Sequence, residues 1–388
     1  MSTTHTALTP FRLGGHDLAS RFVVAPMSRV SATPSGVPTP EMADYYGEFA
    51  AGGFPLVITE GVYVDAAHSQ SYLNQPGLVD REHVAGWRAV TDRVHATGGL
   101  IFAQLMHAGA LSQGNPHRPD TIAPSAVRPL GQMMPEYGGS GRWPVPRAMT
   151  LGDIEQVVAG FAAAARNAAA AGFDGVELHA ANGYLFDQFL TTYTNQRDDE
   201  YGGSTANRIR LTTDVVAEIR RVSAPGFLVG VRLSQTKVND LDYRWPGGAR
   251  DAETVFTAVA DAGADYLHVA SEGRDWLHTA TLPGGATITG LAREVTGLPV
   301  IANGGMHDAA RARQVLDEGH ADLLAIGRGA LANPDLPHRL AKGLAPAPYD
   351  RRLIEPAATL ANAARHRADQ GRTEQGRTEQ GRTEQDWA

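Results

Sequence analysis

The sequence predicts an α/β chain folded as a single (β/α)8 TIM barrel. Short apolar, β-branched runs alternate with longer Ala-rich stretches of helical character, eight times along the chain. A length of 388 residues suits such a barrel with insertions. The competing arrangement, a doubly wound open sheet, usually opens with a Gly-rich dinucleotide turn after its first strand. Here that place holds "APMSRVSATPSG".

Ahead of the repeat, "FRLGGHDLAS" (11–20) reads as a hairpin that plugs the bottom of the barrel. The strands follow as "RFVVAP" (21–26), "PLVITE" (55–60), "LIFAQL" (100–105), "DGVELH" (174–179), "LVGVRL" (228–233), "DYLHVA" (265–270), "LPVIAN" (298–303) and "DLLAIG" (322–327). Helices are expected near 41–52, 83–97, 153–171, 205–222, 251–262, 287–296, 309–318 and 335–342, with Asp153 and Asp251 standing where N-caps belong. Residues 106–150 form a long Gly/Pro-rich insertion after the third strand, which reads as a functional lid or wall. Tyr137, Trp143 and Trp276 are candidates to line a substrate entrance. The barrel is expected over 1–365 and a disordered low-complexity tail over 366–388. The perfect repeat "GRTEQGRTEQGRTEQ" (371–385) carries that tail; a single helix held by Arg–Glu pairs is the alternative.

Composition excludes several classes. The chain holds no cysteine, so disulfides, thiolate zinc, iron–sulfur clusters and a cysteine nucleophile are out. That composition, and a start without a basic-then-apolar leader, point to a cytoplasmic protein. A net charge of −8 without a basic run argues against nucleic acid. No run approaches the ~18 apolar residues of a membrane span.

A barrel gathers its chemistry at the carboxyl ends of its strands. Those ends carry Met27 and Ser28, Glu60 and Gly61, Gln104, His179 and Asn182, Arg232, Ser271, Asn303 to Gly305, and Gly327 with Arg328. Glycines after the last two strands suit a phosphate received by backbone N–H groups, and Arg328 adds a bidentate grip. Arg232, following an apolar run near the barrel axis, needs an anionic partner. No metal constellation is present: carboxylates are scarce at these ends, Glu60 being the main one, and His179 has no second histidine at helical spacing. Alone, His179 would read as a structural histidine. Asn182, taken to share its face, makes the pair a ligand clamp.

The strings "HAANGYLFDQFL" and "TNQRDDEYGGSTANR", with "VVAPMSR", "FAQLMHAG", "VGVRLS" and "AIGRGALANPDLPHRL" in order, resemble the Old Yellow Enzyme family of FMN-dependent NAD(P)H oxidoreductases, the ene reductases, over residues 8–345. The resemblance implies bound FMN, with NADH or NADPH as hydride donor. It lays Pro26, Met27 and Ser28 along the flavin, puts Gly61 at the ring edge and pairs Gln104 with the pyrimidine edge. It sets Arg232 near N1 and O2, and holds the ribityl phosphate with Asn303, Gly304, Gly305, Gly327 and Arg328. It makes His179 and Asn182 the donors to the carbonyl or nitro oxygen of an electron-poor alkene, and Tyr184 the proton donor. Some relatives carry Cys or Thr where this chain has Ser28, and Met106 departs from the aromatic or small residue common at its place. The runner-up is an FMN-dependent oxidase, dehydrogenase or isomerase on the same barrel; a flavin carrier or repeat-tail scaffold is the non-enzymatic alternative. Expected partners are a small electron-poor alkene or nitro substrate, with no membrane or nucleic acid; a homo-oligomer is allowed.

Overall fold

The apolar runs are the staves of a closed parallel barrel. The structure, a computed structural model, describes residues 5–271 and 276–369. In chain order come β1 (Phe11–Leu13), β2 (His16–Leu18), β3 (Phe22–Val24), α1 (Pro40–Ala51), β4 (Leu56–Tyr63), α2 (Arg81–His95), β5 (Leu100–Met106), β6 (Ile122–Ala123), β7 (Arg147–Ala148) and α3 (Leu151–Ala171). These are followed by β8 (Gly175–Asn182), α4 (Leu185–Leu190), α5 (Thr205–Arg208), α6 (Arg210–Val222), β9 (Leu228–Lys237), α7 (Ala249–Asp261), β10 (Tyr266–Ala270) and α8 (Trp276–Ala280). The rest are α9 (Ile288–Thr296), β11 (Val300–Asn303), α10 (Ala309–Asp317), β12 (Leu323–Ile326), α11 (Arg328–Ala332) and α12 (Leu336–Ala341). The barrel order is β3-β4-β5-β8-β9-β10-β11-β12, closing on β3.

Every residue of β4, β8 and β9 is buried, because helices cover the outer face and side chains fill the inner one. The alternation is visible within each run. Val23, Leu56, Ile58 and Phe102 join an inner core, whereas Val24, Val57, Ile101 and Ala103 pack outward against the helices. The β1–β2 hairpin does plug the barrel: Leu13 and Leu18 belong to the inner core. Its turn needs Gly14, at φ 57°, where a Cβ would lie 2.6 Å from Leu228 Cδ2.

Three expectations change. Asp153 and Asp251 are not N-caps. Thr150 caps α3, and Asp153, at the third position, answers it in a capping box: Thr150 Oγ1 accepts from Asp153 N at 3.1 Å and the Asp153 carboxylate from Thr150 N at 2.7 Å. Gly248 precedes α7, and Asp251 instead accepts from Gly247 N and the Thr205 hydroxyl. The helix expected over 205–222 is broken at Ile209 into α5 and α6. The 106–150 insertion is fastened at its base by the two-residue pair β6–β7. A C-terminal helical stretch runs through 360–369, past the boundary expected at 365; the pentapeptide repeat lies outside the described residues. Among the described residues, no helix is long and apolar enough to cross a membrane.

Candidate active site

A cavity of about 640 Å³ opens at the carboxyl ends of the strands. The fourteen residues given catalytic or cofactor roles by the resemblance line it: Pro26, Met27, Ser28, Gly61, Gln104, His179, Asn182, Tyr184, Arg232, Asn303, Gly304, Gly305, Gly327 and Arg328; Glu60, also at a strand end, does not. A larger depression of about 1020 Å³ lies under the C-terminal segment, beside Asp350, Arg352 and Arg365. It touches no barrel strand end, so the first cavity is the candidate for chemistry.

His179 lies on β8 opposite Arg232 on β9. Burial, then the positive field of Arg232 and His268, holds its pKa well below the usual histidine value, so the ring is neutral at neutral pH. Its Nδ1 is buried and has no partner among the described residues. Asn182 reaches the same cavity by a route the sequence reading mistook. It is not one helical turn further on; it ends the same strand, where a residue three positions on should face the opposite side. The register slips between Ala180 and Asn182, and Asn182 and Gly183 take left-handed φ of 65° and 88°. Asn tolerates that conformation better than most residues. Asn182 N donates to Ser234 Oγ at 2.8 Å and Gly183 N to Asp187 Oδ2 at 2.7 Å, fixing the corner. The corner also launches α4, with Tyr184 as the residue before its first turn.

The Tyr184 ring packs 5.0 Å from that of His179, and its hydroxyl hydrogen-bonds the hydroxyl of Tyr72. Tyr72 stacks on Tyr137 with centroids 4.6 Å apart, so Tyr137 does line the cavity. Trp143 and Trp276 do not; both are packing residues, 0% and 1% exposed. Tyr72 was missed because it sits in the loop after β4 rather than at a strand end.

Beneath the mouth, Gln104 Nε2 donates to Glu177 Oε1 at 2.8 Å, while His268 Nδ1 stands 2.9 Å from the other oxygen. Burial alone would raise the pKa of Glu177, but His268, Arg232 and the Gln104 amide together hold it below the usual value. Glu177 thus supplies part of the anionic field that Arg232 requires. It also corrects the view that Glu60 was the main carboxylate here: Glu177 lies two residues before His179 and shares its face. Arg232 is further fixed by a 3.2 Å bond from its guanidinium to Asn303 Oδ1. A buried ion pair lies behind Asn182: Lys237 Nζ to Asp187 Oδ1 at 2.7 Å, with side chains 2% and 0% exposed. Burial pushes the lysine down and the aspartate up from their ordinary values.

On the other wall, a Cβ on Gly61 would fall 2.2 Å from Met106 Sδ. Met106 therefore fills space beside a glycine. Gln75 Nε2 holds the Gly61 carbonyl at 2.7 Å. After β11, Gly304 and Gly305 take φ of 132° and 69°, which L side chains rarely adopt. Arg328 lies over the Tyr349 ring at 6.0 Å, and Arg311 packs so closely on Gly305 that a Cβ there would strike its guanidinium. Arg311, on α10, was missed because no strand end contains it.

Glu60 is buried, and desolvation raises its carboxyl to about 7, against the pull of hydrogen bonds from Arg29 N, Tyr46 and Val30 N. Its unfolded counterpart titrates near 4.5. Between those values the folded protein holds a proton that the unfolded chain has lost, so stability falls as pH rises. Urea unfolding from pH 5 to pH 7.5 is expected to show a loss of about 2 kcal/mol, absent in Glu60→Gln. An unchanged slope in that variant would assign it elsewhere.

The lining fits a flat, polar-edged, phosphate-bearing ring: the ordered Gln104 amide, the Arg232 guanidinium and a glycine cradle beside arginines, with the unpartnered His179 Nδ1 left over for a further ligand. Among the described residues there is no group of three or more His, Asp or Glu that could hold a metal. The sequence pattern of the NADH:flavin oxidoreductase / NADH oxidase family matches residues 7–346. The chain belongs to that family. Within the family, it is 37% identical over 355 residues to a probable flavin mononucleotide-dependent alkene reductase of Leishmania infantum, spanning 89% of this chain and 92% of that protein. The fold matches the Old Yellow Enzyme homologue of Zymomonas mobilis with a TM-score of 0.80 at 33% identity, covering 90% of this chain and 95% of that one. It matches morphinone reductase in complex with tetrahydroNAD at 0.79 and 32%, covering 92% and 96%. This flavin oxidoreductase is therefore an FMN enzyme served by a nicotinamide donor, and its relatives favour alkene reduction over the oxidase or isomerase alternative.

Proposed function

We propose that the chain reduces electron-poor C=C bonds, those of enones and nitroalkenes, at the mouth of this barrel. The observation that carries the reading is the meeting of His179 and Asn182, through a bulged strand end, over walls made by Pro26–Ser28, Gly61, Gln104 and Arg232. Bound FMN supplies the hydride, drawn from NADH or NADPH. Neutral His179 and the Asn182 amide donate hydrogen bonds to the substrate's carbonyl or nitro oxygen. Negative charge grows on that oxygen as the β-carbon is reduced, so the donors stabilise the transition state more than the ground state. The Tyr184 hydroxyl then delivers a proton to the α-carbon. Tyr72, which lines the same cavity, hydrogen-bonds that hydroxyl. Arg232 would face the bound flavin and would offset the negative charge that it gains on reduction. Asn303–Gly305, Gly327 and Arg328 would hold the phosphate of bound FMN. The cysteine-free composition supports a cytoplasmic setting.

An anaerobic titration tests this. NADH or NADPH should bleach the yellow holoprotein, and cyclohexenone should restore its colour within a turnover. Bleaching without recovery by any enone or nitroalkene would favour the oxidase or isomerase alternative.

A further inference from the structure

Glu60 takes no part in the chemistry above, yet its carboxylate holds the two residues that follow the strip Pro26–Ser28. Its Oε2 accepts the main-chain N–H groups of Arg29 at 2.8 Å and Val30 at 3.1 Å. Oε1 accepts from the Tyr46 hydroxyl at 3.1 Å, and that hydroxyl in turn accepts from Glu60 N at 3.0 Å. Two successive N–H groups converging on one oxygen make an anion nest, and here the anion is internal. The geometry is strained: Val30, a β-branched residue, is held at φ 38°. The Arg29 side chain is anchored separately, through Nη2 to the carbonyls of Leu353 and Thr359. On the strand itself the next residue, Gly61, is a cavity wall, and the β4–β5 register shifts between Ile58 and Gly61. One buried carboxylate therefore ties the strip after β3 to the wall at the end of β4.

We propose that Glu60 is a positioning residue for the cofactor: by clamping Arg29 and Val30 it holds Pro26–Ser28 at a fixed distance from the flavin ring, setting FMN affinity and reduction potential. This rests on the reading that the strip faces the flavin. A strained β-branched residue in a left-handed conformation persists only where its surroundings enforce it, and Glu60 supplies the enforcing contact. The buried carboxylate costs stability when charged, which a residue serving only the fold would not require.

The test uses holoprotein at pH 8, above the carboxyl's value of about 7. Glu60→Gln, nearly isosteric but uncharged, is expected to raise the FMN Kd on the order of tenfold through loss of charge-assisted bonds, and to shift the midpoint potential. Its urea stability should be equal or higher. A purely structural Glu60 would lower affinity and stability together. Adding Val30→Gly, which accepts the left-handed φ without strain, should bring the Kd back to within about threefold of the parent. Glu60→Asp, charged but too short to reach both N–H groups, should show the same loss and replaces Glu60→Gln if that variant does not fold. Ser28→Ala tests the strip itself. If Ser28→Ala moves the potential while the Glu60 variants leave Kd and potential unchanged, the clamp is wrong and the strip stands. If both are silent, the strip reading fails as well.

Discussion

The His179→Ala, Asn182→Ala double variant should bind FMN and lose alkene reduction. Removal of one donor aimed at a developing oxyanion typically costs ~10²–10³ in rate. Removing both leaves the oxygen without either of its side-chain donors. The loss should exceed either single change but fall short of their product, since the two donors act on one atom. FMN content should hold, because the proposed cofactor contacts come from Pro26–Ser28, Gly61, Gln104, Arg232 and the glycine cradle. The measurement is single-turnover oxidation of the reduced holoprotein by cyclohexenone in a stopped-flow instrument. A rate within tenfold of the parent would remove His179 and Asn182 from the mechanism.

The largest effect on stability is expected from Lys237→Met. The Asp187 carboxylate, 0% exposed, would lose its ammonium partner and remain buried. Breaking a buried pair from one side typically costs about 3–5 kcal/mol. Asp187 also accepts from Gly183 N, so the Asn182 corner should loosen and kcat fall with stability. Adding Asp187→Asn, which removes the stranded charge, should recover more than half of the lost stability. Urea unfolding of the two variants settles the point; a cost below about 1 kcal/mol for Lys237→Met would mean that water or a proton replaces the lysine.

These two sites differ in how far the sequence displays them. The strands were legible because burial on both faces leaves β-branched runs with no polar alternation, as in "LVGVRL" and "LPVIAN". The strand-end residues followed from barrel geometry alone. The short helices α4, α8 and α11 were not legible, since five or six residues show no period. The facing of Asn182 depends on a left-handed residue and a slipped register, and neither has a sequence period. Asp187 and Lys237 meet across 50 residues of chain, and nothing local announces an ion pair. Tyr72 reaches the cavity, and Arg311 packs on Gly305, from outside the strand ends, and the strand ends alone show neither. The caps went astray for a related reason: an aspartate at the third helical position and one at the cap look alike in one dimension, and only the bonds to Thr150 and Gly247 tell them apart.

The barrel's closure has a consequence for how the chain is made. Its seam joins β3 to β12, through bonds such as Leu324 N to the Arg21 carbonyl and Ala25 N to the Ile326 carbonyl, linking partners some three hundred positions apart. β3 itself meets β4 through only two aligned residue pairs. During synthesis the first stave thus waits, one flank bare, until nearly the whole polypeptide has left the ribosome. Such distant pairing makes assembly slow and leaves a sticky border open meanwhile.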